Sequence, residues 1–175
     1  MLVLASRSPQ RRAILEQLGI EFRVEVPGVD ERAEGDPHEL VLENALRKMQ
    51  AVDGDLVLGV DTSVVIDGRA HGKPADRGEA EAVLRRLSGR DHEVLSAVAL
   101  TGDRSAVAST RVRFRELDQA LVSWYLGTGE WRDRAGGYAI QGKGAALVEH
   151  IEGDYLNVVG LPAATLLALE PGLLA

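Results

Sequence analysis

Four stretches of this chain carry residue types that can act on a phosphorylated ligand. The first is Ser6-Arg7-Ser8-Pro9-Gln10-Arg11-Arg12, where Ser8 reads as a helix N-cap and Pro9 as the first helical residue. A helix N-terminus presents free N–H groups and partial positive charge, and hydroxyls and arginines beside it would complete a phosphate cradle. A capped helix with solvated arginines fits the same residues. The second is Asp61-Thr62, which follows the apolar run Leu56–Val60. A carboxylate at a strand end can hold a divalent cation or take a proton from water, although a turn-forming aspartate has the same signature. The third is Gly72-Lys73-Pro74, a loop whose lysine offers a point charge to a phosphate or is simply solvated. Lys48, on an amphipathic stretch, and Glu31, in a carboxylate run, carry the same pair of readings. The fourth is Ala135-Gly136-Gly137-Tyr138-Ala139-Ile140-Gln141-Gly142. Its glycines permit close approach to a flat ligand, and the Gln141 amide has the donors and acceptor to read a base edge. A glycine-rich turn region is the plainer reading. The histidines show no metal-binding spacing, and neither a G-x-S-x-G elbow nor a Walker A sequence is present.

The elements that must position these groups follow from periodicity and punctuation. Leu2–Ala5 reads as a short buried strand, followed by a helix with Ile14, Leu15 and Leu18 inward and Gly19 at its end. Phe22, Val24 and Val26 alternate as a half-buried strand. Asp36-Pro37-His38-Glu39 opens a helix whose apolar face is expected to be Leu42, Ala45, Leu46 and Met49. Leu56–Val60 is expected to end as a strand at Asp61, and Val64–Ile66 to run on to an Asp67-Gly68 hairpin turn. Asp76–Glu79 starts a third helix, with Ala80, Val83, Leu84 and Leu87 inward. Glu93–Thr101 and Ser105–Arg115 read as a long hairpin around Gly102-Asp103, and Asp118 caps a helix through Tyr125. Gly127–Gly144 reads as loops with a short strand at Tyr138–Ile140, and Leu161–Leu169 as a final helix. Strands alternate with helices but hairpins also occur, so the expected class is α/β with a mixed sheet.

The bulk numbers bound the function. A chain of 175 residues, 45% hydrophobic and 27% charged, builds one ordinary globular core. The absence of cysteine excludes disulfides, thiolate metal sites and cysteine nucleophiles. A net charge of −7 argues against holding long nucleic acid by counterion release, yet leaves room for a small polyanion gripped by locally concentrated cations. No apolar stretch approaches a bilayer span, and MLVLASRSP lacks the form of a secretory signal, so a cytoplasmic location is expected.

The order of the motifs is more specific than any one of them. Leu4-Ala5-Ser6-x-Ser8-Pro9-x-Arg11 is followed by Gly59-x-Asp61-Thr62-x-Val64 and by Gly72-Lys73-Pro74. Leu84-x-x-Leu87-Ser88-Gly89-x-x-His92-x-Val94 and Ala135-Gly136-Gly137-Tyr138-x-Ile140-Gln141-Gly142 come next. Gly153-Asp154-Tyr155-x-Asn157-Val158-Val159-Gly160-Leu161-Pro162 closes the series. Over nearly the whole chain, 1–175 as a single domain, this resembles the Maf family of nucleotide pyrophosphatases. The resemblance implies an elongated, twisted mixed sheet with flanking helices and a cleft between two lobes, similar to the inosine triphosphatases. It implies hydrolysis of a nucleoside triphosphate between its α and β phosphates with Mg²⁺, Mn²⁺ or Co²⁺, and a homodimer. Under it, Asp61 is the catalytic base or metal-organising carboxylate, and Glu31 a second acidic group at the metal. Ser6, Arg11, Lys48 and Lys73 would face the phosphates, while Gln10, Thr62 and Gln141 would govern base choice. Thr62 and Gln141 look like the branch acting on dTTP and UTP rather than the one acting on 7-methyl-GTP. Gln10 departs from that branch, which has an arginine in its place, and so leaves broad or modified-nucleotide activity open. A nucleotide-binding regulator of septum formation without turnover, and an enzyme cutting at the γ phosphate, are the competing expectations.

Overall fold

A computed structural model describes residues 1–174. The chain runs β1 (Leu2–Ala5), α1 (Pro9–Gln17), β2 (Phe22–Glu25), α2 (Pro37–Gln50), β3 (Leu56–Ile66) and β4 (Arg69–His71). It continues through α3 (Arg77–Leu87), β5 (Asp91–Leu100), β6 (Arg104–Phe114), α4 (Gln119–Gly127), β7 (Val148–Glu152), α5 (Tyr155–Val159) and α6 (Ala163–Leu169). The strands form one seven-stranded mixed sheet in the order β2-β1-β3-β5-β6-β7, with β4 also paired to β3. β1 is parallel to both its neighbours, while β3, β5, β6 and β7 pair antiparallel in turn, β5 and β6 as a hairpin.

Local chemistry accounts for most of the boundaries. Ser8, Asp36, Asp76 and Asp118 each cap a helix by accepting a backbone N–H from its first turn. Asp67 and Gly68 turn from β3 into β4 with φ of 54° and 71°, which a two-residue hairpin requires. Two expectations fail here. Asp61 does not end a strand, since β3 runs unbroken from Leu56 to Ile66. Tyr138–Ile140 is not a strand but lies between 3₁₀ turns at Ala135–Gly137 and Lys143–Leu147. The outer strand in that region is instead β7, which pairs with β6.

β3 is the spine of the molecule. Its odd residues Val57 and Val65 face α2, together with Val3, Ala5, Leu95 and Ala97. On the other face, Leu58 and Val60 pack with α1 and α6 through Ile14, Leu15 and Leu166. Val64 and Ile66, further along that face, belong to a separate cluster with Leu84, Leu87, Phe114, Val122 and Tyr125 under α3 and α4. The break between these two clusters falls at Thr62, and there the cleft opens.

The pairing register leaves a gap at the same point. β1 ends opposite Gly59 and β4 ends opposite Val64, while β5 occupies the far edge of β3 from Leu58 to Val65. Val60–Ser63 therefore have no strand partner on the β1 side among the described residues. Backbone groups left open in this way must be satisfied by side chains or solvent.

The cluster under α3 also buries a histidine. His92, 3% exposed, has its ring edge-on to Phe114 and Tyr138, with 2.8 Å between Nε2 and the Tyr138 hydroxyl. Burial pushes the imidazole down to about 4, against a small opposing effect from Asp91. The unfolded chain takes up this proton near pH 6.5, so the unfolded state binds more protons between pH 6.5 and about 4. The stability contributed by neutral His92 is complete above pH 6.5 and is lost as pH falls, by ~3 kcal/mol over that window. His92→Gln is expected to flatten the loss, as measured by urea unfolding at pH 7, 5.5 and 4.5. Parallel pH profiles for the two proteins would remove this assignment.

Candidate active site

Ser6, Gln10, Arg11, Glu31, Lys48, Asp61, Thr62, Lys73 and Gln141 all line one cleft of about 990 Å³. The two basic groups nearest its floor fill the gap in the sheet. Arg11 reaches in from the first turn of α1, and Lys48 from α2 on the opposite face. Arg11 Nη1 and Lys48 Nζ both donate to the Val60 carbonyl, at 2.9 and 3.3 Å. These contacts replace the missing strand.

Asp61 lies on the α2 face, one residue beyond this carbonyl. Its Oδ1 accepts from Lys48 Nζ at 2.6 Å and its Oδ2 from Asn44 Nδ2 at 3.3 Å. Lys48 Nζ also meets Glu31 Oε1 at 2.6 Å, so one ammonium bridges two carboxylates. The Lys48 and Asp61 side chains are 8% and 9% exposed, and that of Glu31 is 51% exposed. Burial pushes the Glu31 carboxyl up. The Lys48 hydrogen bond and the charges of Lys48, Lys73 and Arg11 outweigh this and hold it below the usual carboxylate range. A buried ion pair of this kind gains little stability over apolar packing, because desolvation consumes most of the attraction.

Asn44 is a residue of this cleft that sequence reasoning missed. Its Oδ1 accepts from the Arg32 amide at 2.8 Å, and its Nδ2 donates to the Arg32 carbonyl at 3.0 Å. The same side chain therefore fastens the Glu31–Arg32 segment to α2 and touches Asp61. The available signal was a pair of polar residues, Asn44 and Lys48, spaced i, i+4 on a helix. The buried face of α2 is Leu40, Val41, Asn44, Ala45, Lys48 and Met49. The expected stripe through Leu42 and Leu46 is rotated, leaving both half-buried, because Asn44 and Lys48 are turned toward Asp61.

Donor arithmetic separates the cations. An arginine has five N–H groups and a lysine three. Arg11 Nε donates to Gly160 O (2.9 Å), Nη1 to Ser6 Oγ (3.1 Å) and Val60 O, and Nη2 to Thr62 Oγ1 (3.1 Å), which leaves one Nη2 N–H. Burial lowers the guanidinium's pKa, with Asp61 and Glu31 opposing. Lys48 has spent all three donors on Val60, Asp61 and Glu31. Lys73 lines the cleft exposed and without a side-chain partner among the described residues.

The predicted base-reading residues also differ in freedom. Thr62 Oγ1 accepts from Arg11, shares a hydrogen bond with Ser96 Oγ at 2.8 Å and lies 3.4 Å from the Gly160 carbonyl. Its hydroxyl is therefore engaged by the protein. Gln10 accepts from Ser8 Oγ at 3.0 Å and retains its amide donors, and Gln141 is exposed. Gln10 and Gln141 also line a second, adjoining cavity of about 440 Å³ with Ile14, Tyr155 and Leu156, which Thr62 does not reach.

The carboxylate pair suits a hard divalent cation. Glu31 and Asp61 converge on a single positive charge and offer only oxygen donors, as Mg²⁺ and Mn²⁺ prefer. No group of three or more acidic or histidine side chains is placed to hold a metal among the described residues. Any ion here would therefore share its coordination with water and ligand phosphates, a habit of Mg²⁺.

The chain is similar to known proteins over most of its length. A dTTP/UTP pyrophosphatase from Symbiobacterium thermophilum is 55% identical over 170 residues, covering 92% of this chain and 88% of that protein. A dTTP/UTP pyrophosphatase from Thermus thermophilus is 48% identical over 174 residues, covering 96% and 92%. Among solved structures, a dITP/XTP pyrophosphatase from Mycobacterium abscessus is similar over 66% of this chain and 74% of its own, at 19% identity and a TM-score of 0.42. Residues 1–170 match the Maf-like protein family, and the chain belongs to it.

Proposed function

We propose that this protein is a nucleoside triphosphate pyrophosphatase that takes dTTP or UTP and releases the monophosphate and pyrophosphate. The observation that carries this reading is the convergence of Glu31, Lys48 and Asp61 on one floor of a cleft whose rim holds the free cation Lys73. The relatives named dTTP/UTP pyrophosphatase support the substrate class.

In this reading the triphosphate lies along the cleft, and a water attacks the α phosphorus while the bridging oxygen to the β phosphate leaves with pyrophosphate. Asp61 orients that water and receives its proton, since its Oδ2 makes only one long hydrogen bond and keeps lone pairs to accept another. Lys48 keeps Asp61 and Glu31 at their stations. Lys73 offsets charge that builds on the leaving pyrophosphate. Arg11 spends most of its donors holding Ser6, Val60, Thr62 and Gly160, so it shapes the phosphate site and offers it one N–H. Glu31 and Asp61 would hold a divalent cation, which would supply charge neutralisation to the polyphosphate. The base lies toward the second cavity, where Gln10 and Gln141 can reach its edge. Thr62 acts on base choice through the Arg11 and Ser96 contacts that fix the cleft floor. A cytoplasmic homodimer is carried over with this reading, on the family likeness. Among the described residues no helix is long and apolar enough to cross a membrane.

The test is product identification by phosphorus NMR with dTTP, UTP, CTP, GTP and 7-methyl-GTP, each with Mg²⁺ or Mn²⁺. The expected result is monophosphate plus pyrophosphate, with a pyrimidine nucleotide turned over fastest. Orthophosphate as the product would mean γ cleavage. Nucleotide binding without turnover would favour a regulator. Preference for 7-methyl-GTP would overturn the roles of Gln10, Thr62 and Gln141.

A further inference from the structure

We propose that Arg134 is a second substrate cation, gripping the α phosphate at the junction of the two cavities. The inference rests on the triphosphate reading above and adds to it a residue and a subsite.

Arg134 borders both the large cleft and the adjoining cavity, and it is the one cation that does so among the described residues. Its donors are almost unused. Nη1 makes a single long bond to the Asp133 carbonyl at 3.4 Å, and the buried Nε has no partner among the described residues. A buried guanidinium N–H without an acceptor is costly unless a ligand supplies one. The other basic groups on the rim are placed differently. The Arg132 guanidinium sits over the Trp131 ring, 4.7 Å from its centroid, and Arg7 borders only the large cleft. Glu130, the acid lining the second cavity, is occupied by the amides of Lys143 and Gly144.

The backbone ties Arg134 to the free lysine. The Gly136 amide donates to the Gly72 carbonyl at 2.9 Å, so the segment carrying Arg134 is joined to the loop carrying Lys73. Gly136 has φ of 65°, and a Cβ there would stand 2.5 Å from Val64 Cγ2. The close approach fixes the segment on β3, two residues beyond Thr62. Lys73 and Arg134 thus stand on joined segments that line the same cleft as Asp61. If the base occupies the second cavity and the polyphosphate the first, the group passing between them is the α phosphate. Arginine's planar fork suits two of its oxygens.

The experiment measures binding of α,β-imido-dTTP, dTMP and thymidine, with Mg²⁺, to the wild type, Arg134→Gln and Arg134→Lys. Arg134→Gln is expected to weaken the triphosphate analogue and dTMP by about 10- to 100-fold, with thymidine unchanged. Arg134→Lys should recover part of that loss. Unchanged analogue affinity in Arg134→Gln overturns the inference, and so does an equal loss for thymidine, which would assign Arg134 to the base side or to the fold. Absence of analogue binding to the wild type would instead overturn the triphosphate reading, and this inference with it.

Discussion

Asp61→Asn is expected to slow pyrophosphate release by about 10²- to 10³-fold while leaving the protein folded. The substitution keeps the shape of the side chain and removes its charge and its ability to accept a proton. Removing one partner of a buried ion pair commonly costs about 3–5 kcal/mol, because the other charge is left uncompensated. Here Lys48 retains Glu31 at 2.6 Å and the Val60 carbonyl, so the ammonium is not orphaned. The new amide can still accept from Lys48, and its NH₂ would face Asn44 Nδ2 across what is already a long contact. The expected cost is therefore about 1–2 kcal/mol. Affinity for a non-hydrolysable triphosphate should change far less than kcat, since Lys73, Arg11 and Glu31 are untouched. Three measurements separate the outcomes: kcat, the melting temperature and analogue affinity. A kcat near the wild-type value would take Asp61 out of the chemistry. A collapsed melting transition would make its role structural.

Most residues of this cleft were legible in the sequence, but the way they are held was not. Asp61 stood out as a charge after a wholly apolar run, and Ser8, Pro9 and Arg11 as the start of a helix. Both signals are local, since they rest on composition and capping. The placement of Asp61 at a strand end failed because a charge after an apolar run looks like the end of the strand in isolation. In the fold, β5 pairs with β3 straight through them. What makes the site is the opposite edge of β3, where pairing with β1 stops at Gly59 and pairing with β4 reaches only to Val64. No local pattern records where two neighbouring strands end relative to a third. Arg11 was legible as a phosphate ligand, yet its partners Val60, Thr62 and Gly160 are 49 to 149 residues away and turn it largely into a strut. Asn44 was hidden for the reverse reason. A polar residue amid Leu40, Val41 and Ala45 reads as a lapse in an apolar stripe until Asp61 is placed opposite it.

Gly59→Ala is expected to damage both stability and activity, although the residue touches no substrate. Gly59 lies where α2 crosses β3, and a Cβ there would fall 2.1 Å from the Ala45 carbonyl oxygen and 2.7 Å from the Met49 amide nitrogen. Both are backbone atoms of α2, so no side-chain rotation relieves the clash. The helix has to retreat by roughly 1 Å to restore van der Waals spacing. Overpacking of this kind costs about 1–3 kcal/mol, or a fall in melting temperature on the order of 5 °C for a chain of this size. The same retreat carries Asn44 and Lys48 away from Asp61, and a displacement of about 1 Å can cost ~10²-fold in rate. Gly127→Ala is the control. It has open space around its Cβ position, lies at the end of α4 away from the cleft, and should leave kcat unchanged and stability equal or higher. If Gly59→Ala melts and turns over like Gly127→Ala, the seat of α2 on β3 does not set the spacing of Lys48 from Asp61. The carboxylate pair would then have to be held from the Glu31 side alone.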